Sequence, residues 1–254
     1  MTDMRPKSDL EGLTVIDHHY PHPLSHKYTL YFKDYPASLI AWEMFKSEIP
    51  KSEWWKLAIG LVGDAQPELI PYEVFETRPE LLTKIKTSSY QSYGKWKTSY
   101  FPAYKLLSSG INALLRLSDF DTALNIIKHV ESPIDLLNNQ TIKLAKARVK
   151  AEFERIMREQ QSYEFDNLIV CLFRSDIRMS GYVSSSLNSV DGTTIMAINL
   201  NSMRGSMRGE LASYWKEKLK KLNYITIDGH ASAMGVQLHT DPKKLIEDLS
   251  YGIS

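Results

Sequence analysis

The chain has 254 residues, with 31 basic and 30 acidic side chains and a net charge of +1, so any nucleic-acid surface must come from local clustering of Lys and Arg rather than a global field. Hydrophobic residues make up 43%, enough to bury the core of one large domain or two modest ones. Cys171 is the only cysteine, which excludes an intramolecular disulfide and a thiolate metal cage and suits a reducing, cytoplasmic compartment.

Met1 to Glu11 lacks the apolar core of a signal peptide. Leu13 to Ile16 is a β-branched run that ends in Asp17-His18-His19, then Pro21 and Pro23, which reads as a buried strand feeding a polar loop. Open α/β sheets place their ligand crevice at such strand ends. Pro36 marks a helix start, with Leu39, Ile40, Trp42 and Phe45 as its apolar face. Ser52 is a candidate N-cap for a second helix, in which Trp55, Ile59 and Val62 recur at helical spacing. That helix runs into Gly63, Asp64 and Ala65, where the glycine suits the end of a helix. Further helices are expected over Glu80 to Thr87, Ala103 to Leu117 and Thr122 to His129.

Ser132 to Gln160 is a charged, mostly helical stretch, read as a linker whose charges form a solvated face. Leu168 to Phe173 is the longest apolar run; it is far too short to span a bilayer and reads as a strand, as does Thr193 to Leu200. Glu210 to Leu222 is amphipathic, with Leu211, Trp215, Leu219 and Leu222 facing inward. A glycine-rich loop at Gly229, a strand near Val236 to His239 and a helix from Pro242 complete a compact α+β region.

Three constellations bear on chemistry. The Asp17-His18-His19 triplet at a strand end combines carboxylate and imidazole, which suits a divalent metal such as manganese; hydrogen-bonded structural histidines are the alternative. Met203-Arg204-Gly205-Ser206-Met207-Arg208 puts two guanidinium groups and a hydroxyl on one face of an extended segment, a row that suits a nucleic-acid backbone. Asp228-Gly229-His230-Ala231-Ser232-Ala233-Met234-Gly235 has glycines that let backbone N–H groups approach a phosphate.

In this order the segments resemble the DHH phosphoesterase family, RecJ type. Thr14-Val15-Ile16-Asp17-His18-His19 resembles its name-giving motif, and Leu61-Val62-Gly63-Asp64-Ala65 its next one. Arg174-Ser175-Asp176, the Arg-Gly-Ser segment and the Gly-His segment resemble the DHH-associated C-terminal domain, with Asp228 and Met234 in place of a glycine and an alanine. Asp3 resembles the aspartate that precedes the triplet. The resemblance implies metal ligands at Asp3, His18, His19 and Asp64, and single-stranded nucleic acid bound by Arg204, Ser206, Arg208, Gly229 and His230.

The family's first motif, His-x-x-x-Asp-x-Asp, does not occur, and without it two metals are not organised for attack on phosphate. A poor nuclease is therefore expected, with no cofactor required. The expected architecture is α/β: an incomplete DHH domain with a parallel sheet and many helices to about residue 130, a helical linker over 131–162, and a smaller mixed α+β domain over 163–254. A shortened first domain would expose a sheet edge for a partner. RecJ-like proteins without an active site point to archaeal homologues that associate with the GINS complex and the MCM helicase, counterparts of the Cdc subunit of the eukaryotic CMG helicase. The competing expectation is a single-strand exonuclease or oligonucleotide phosphodiesterase using manganese or magnesium. No membrane partner is expected.

Overall fold

The structure, a computed structural model, describes residues 13–17, 28–32, 35–92, 95–187, 192–230 and 232–252. The chain divides into two compact units, Met1–Leu115 with Asp119–Lys146 and Arg116–Ser118 with Ala147–Ser254. The division falls inside a long helix.

In the first unit, β1 (Leu13–Asp17) pairs in parallel with β2 (Tyr28–Phe32). Helix α1 (Ala37–Phe45) follows Pro36, whose fixed φ and missing N–H suit a helix start. Ala37 and Ile40 of α1 cluster with Ile16 of β1. Leu39 and Trp42 are buried too, but Phe45, in the last turn beyond that stretch, is 40% exposed and does not belong to the expected apolar face. Ser52 is not an N-cap. Pro50 takes that position for a 3₁₀ stretch, Lys51–Lys56, which runs into α2 (Leu57–Gly63). Gly60 permits the close crossing of α1 and α2, because a Cβ there would lie 2.5 Å from Ser38 Cβ.

A short helix, α3 (Tyr72–Thr77), follows. The helix expected over Glu80 to Thr87 is replaced by one 3₁₀ turn, Pro79–Leu82, and then by β3 (Lys84–Ser92), paired antiparallel with β4 (Lys95–Pro102). Lys84-Ile85-Lys86-Thr87 alternates polar and β-branched residues, and the partner strand satisfies its backbone. Four helices come next: α4 (Leu107–Arg116), α5 (Phe120–His129), α6 (Pro133–Asn138) and α7 (Gln140–Glu159). The charged stretch is thus two helices. Ser132 Oγ caps α6 by accepting from Asp135 N–H, and Asn139 Oδ1 starts α7 by accepting from Ile142 N–H at 3.2 Å.

The second unit is built on a six-stranded mixed sheet. Its strands are β5 (Gln161–Phe165), β6 (Leu168–Phe173), β7 (Thr194–Asn199), β8 (Arg204–Arg208), β9 (Ile225–His230) and β10 (Ala233–Leu238). The order is β5-β6-β7-β8-β10-β9, parallel only between β6 and β7. The helices are α8 (Ser180–Leu187), α9 (Ala212–Leu219) and α10 (Pro242–Ser250). One sheet face carries Leu168, Val170, Leu172, Met196, Ile198, Met207, Val236 and Leu238. It packs on Ala212, Trp215 and Leu219 of α9 and on Leu245 and Leu249 of α10. By the two-residue period of a strand, Arg204, Ser206 and Arg208 belong to the opposite face, where α8 packs on β7 and β8. The expected loop at Gly229 is part of β9: Gly229 pairs with Met234 and has φ 138°. A Cβ there would lie 2.6 Å from Ala233 O, so the glycine serves the strand pairing itself.

Candidate nucleic-acid interface

β8 is held close to its neighbour. A Cβ on Gly205 would lie 2.7 Å from Ala197 O, and one on Gly209, at φ 143°, would lie 2.7 Å from Thr193 O. These glycines bracket the strand and fix the row Arg204, Ser206, Arg208. Arg204 is exposed, and its Nε donates to Gln237 Oε1 at 3.0 Å. Gln237 is itself anchored, since Nε2 donates to Met203 O at 3.2 Å. Ser206 is buried. Its Oγ lies 3.9 Å, and Arg208 Nη2 3.8 Å, from where a Cβ on Gly181 would stand. The glycine near the start of α8 therefore leaves room above Ser206 and Arg208.

Arg208 is half-buried, and its Nε is shielded from solvent without a hydrogen-bond partner. Beside it stands a residue that sequence reasoning missed. Arg116, at the end of α4, donates through Nη1 to Arg178 O at 3.3 Å, and its guanidinium lies 5.0 Å from the centre of the Tyr182 ring. Burial pushes both guanidinium pKa values below the ordinary arginine value; for Arg116 the Tyr182 hydroxyl opposes this and the like charge of Arg208 adds to it. Neither arginine has a carboxylate partner among the described residues. Two partly desolvated cations without a carboxylate partner among the described residues have the chemistry to take up an anion. Their separation in sequence hid this pairing from a local reading.

Gly229 and His230 lie on the edge strand β9, separated from β8 by β10. In register, His230 is opposite Ala233, which is opposite Arg208. The side chain of His230 is outside the described part of the chain. Asp228, at the position where the motif has glycine, accepts from the Gly229 N–H at 2.9 Å and lies 3.8 Å from Lys216 Nζ.

Of the candidate metal ligands, Asp3, His18 and His19 lie outside the described residues. Asp64 is half-buried at the C-cap of α2. There Gln66 N–H donates to Leu61 O at 2.8 Å and Ala65 N–H to Val62 O at 3.2 Å, with Ala65 at φ 58°, the closure of a Schellman motif. The left-handed residue is Ala65, and Gly63 is the last helical residue. Among the described residues no three His, Cys, Asp or Glu side chains converge on one point. An aspartate carboxylate is the kind of group a hard divalent cation takes, and Asp64 is the one candidate ligand that lies among the described residues.

The Arg174-Ser175-Asp176 segment is a structural joint. Asn199 Oδ1 accepts from Ser175 N–H at 3.1 Å and Asn199 Nδ2 donates to Ser175 O at 2.7 Å. Ser175 Oγ donates to Glu152 Oε1 at 2.6 Å, which ties the loop after β6 to α7.

No family model and no curated protein matches this sequence. Solved structures do. RecJ from Thermus thermophilus in complex with Mn2+ superposes with a TM-score of 0.66 at 15% identity, over 95% of this chain and 40% of that one. The same protein with Mg2+ gives 0.57 at 15% identity, over 85% and 36%. A DHH domain from a member of the s1p family of ribosomal proteins gives 0.58 at 14% identity, over 94% and 63%. The chain therefore spans less than half of RecJ. No helix among the described residues is long and apolar enough to cross a membrane. With its mixed sheet, many helices and these neighbours, the chain has a RecJ-like DHH fold.

Proposed function

We propose that the chain is a non-catalytic, RecJ-like subunit of an archaeal DNA replication machinery. In this reading it binds GINS, supports the MCM helicase and holds single-stranded DNA on its second unit. Arg204, Ser206 and Arg208 contact the phosphates, with Gly229 and His230 on the same sheet, and Arg116 joins them. The observation that carries the binding role is the Arg116–Arg208 pair: two guanidinium groups, partly desolvated and without a carboxylate partner among the described residues, would be stabilised by a phosphate between them. The replication role rests on the sequence resemblance. The second unit would keep its single-strand surface while the first serves as a scaffold for protein contacts.

Fluorescence anisotropy with a labelled oligothymidylate tests the binding role, and Arg204→Ala with Arg208→Gln should weaken it at least tenfold. Affinity purification from the native cell tests the assembly: GINS and MCM proteins should co-purify, and their absence would overturn the replication role.

One observation favours a second reading. The RecJ neighbour was solved with Mn2+, and Asp64 offers a fitting carboxylate. Under it, the chain is a manganese- or magnesium-dependent single-strand exonuclease or oligonucleotide phosphodiesterase with Asp3, His18, His19 and Asp64 as ligands. A bound metal would supply Lewis-acid stabilisation of the phosphate. The residues of this chain would hold it and orient the strand. Cleavage of labelled single-stranded DNA in manganese that is lost in His19→Ala would establish this reading and sink the non-catalytic one.

A further inference from the structure

The second unit carries another concentration of arginines away from β8. Arg148, Ala151, Glu152, Arg155 and Arg158 lie along one face of α7, at offsets of three, four, seven and ten residues. With Arg174, Ser175, Asp176 and Asn201 they line a cleft of about 700 Å³. Four arginines against Glu152 and Asp176 give that cleft an excess of positive charge, in a chain whose net charge is only +1.

The four arginines are not equivalent. Arg155 is consumed by structure: Nε and Nη2 donate to both oxygens of Glu152 at 3.0 and 2.7 Å, Nη1 to Glu159 at 2.5 Å, and Nη2 also to Arg174 O at 2.7 Å. Arg148, Arg158 and Arg174 are exposed and form no close salt bridge among the described residues, although Arg148 lies near enough to Glu152 to help lower its pKa. Among the described residues the Arg174 side chain makes one long hydrogen bond, from Nη1 to Asn201 Oδ1 at 3.4 Å. A solvated helix face ordinarily mixes its charges into pairs, as Lys150 and Glu154 do on the same helix. Here the acidic groups are already committed: Glu152 to Arg155 and Ser175, and Asp176 to Asn201 Nδ2 at 2.9 Å. The small Ala151 leaves space between the arginines. The loop that carries Arg174 is fixed by Asn199, so the cations are held rather than tethered.

We propose that this cleft is a second phosphate-binding site, in which Arg148, Arg158 and Arg174 take phosphate oxygens by forked guanidinium contacts. Arg148 and Arg158 are ten residues apart, about 15 Å along the helix axis at the rise of an α-helix. That span suits phosphate groups presented along a chain better than a single ion. The shared chemistry is the phosphate oxyanion. Its source is the backbone of the single strand proposed for β8 or a free polyphosphate.

The test uses the full chain and three probes: labelled oligothymidylate long enough to reach both sites, inorganic tripolyphosphate, and sodium sulfate as a control for ionic strength. The variant is Arg148→Ala/Arg158→Ala/Arg174→Ala, whose exposed positions should leave the melting temperature unchanged. Arg148→Lys/Arg158→Lys/Arg174→Lys keeps the charge and loses the fork. For the strand, the alanine variant should weaken binding at least tenfold and reduce the salt slope by about 2, from about 0.7 per lost phosphate contact on single strands. The lysine variant should fall between wild type and alanine. If tripolyphosphate binding is lost while the strand still binds as wild type does, the site takes free polyphosphate. Unchanged binding of both probes would overturn the proposal. The β8 variant Arg204→Ala/Arg208→Gln separates the two sites: loss there alone sinks the cleft and leaves the β8 reading, and loss in the cleft variant alone does the reverse.

Discussion

Replacing Asn199 with alanine should open the joint between the loop after β6 and the rest of the sheet. Asn199 is 6% exposed and Ser175 4%. The amide takes the Ser175 N–H at 3.1 Å and gives a hydrogen to Ser175 O at 2.7 Å. It also takes the N–H of Asn201 at 3.1 Å. Alanine leaves the two backbone groups of Ser175 buried and unpaired, whereas Asn201 is exposed and finds water. Each orphaned buried group costs about 1–3 kcal/mol, and water entering the vacated space recovers part of it, so the net loss is about 2–4 kcal/mol. The chain has two compact units, so a single unfolding curve need not be two-state. Native-state hydrogen exchange on the β6 and β7 amides isolates the unit concerned. Protection there should fall by that amount, while α1 and α2 amides keep theirs. A loss below about 0.5 kcal/mol would refute the joint, because the hydrogen bonds would then contribute no more than an exposed contact.

Two further predictions concern stability. Ala65→Gly should stabilise the first unit by about 0.5–1 kcal/mol, because the left-handed conformation that alanine now bears is free of Cβ strain in glycine; native-state hydrogen exchange on the α2 amides measures it. Glu152 is held below the ordinary carboxylate range by its hydrogen bond from Arg155, aided by Ser175 and by the nearby charges and opposed by burial. Its folded pKa is therefore depressed, so its contribution is fully present above the ordinary value of 4.5 and fades as pH falls through the folded value. The stability gap between wild type and Glu152→Gln should be constant from pH 6 to 8 and shrink below about pH 4.5. A gap that grew on acidification would contradict the assignment.

What was legible in the sequence followed the strength of local signals. Leu168 to Phe173 is a continuous apolar run and is β6 as read. The Arg-Gly-Ser-Met-Arg alternation is β8, with its cations on one face as expected. Only the start of β3, Lys84 to Thr87, falls in the stretch expected to be helical, and its alternation is too short and too polar to stand out as a strand. β5 was missed because Gln161-Ser162-Tyr163-Glu164-Phe165 is a polar edge strand; the Asp166-Asn167 turn that links it to β6, with Asp166 at φ 48°, was the clue. α8 contains Ser184-Ser185-Ser186, a poor helix by propensity, and owes its helicity to packing on β7 and β8. Arg116 was not legible at all, since nothing near Leu115-Arg116-Leu117 signals that its guanidinium lies over the Tyr182 ring and feels the charge of Arg208. The same holds for the division of labour among the arginines of α7, where only the geometry separates Arg155 from its neighbours.

The most direct test of the account is the salt dependence of binding to a labelled single strand, measured from 50 to 300 mM salt for wild type and for Arg204→Ala/Arg208→Gln. The account predicts measurable wild-type binding and a slope smaller by about 1.4 in the variant, two phosphate contacts at about 0.7 each. No binding by wild type, or identical slopes for the two proteins, would contradict a single-strand interface on β8.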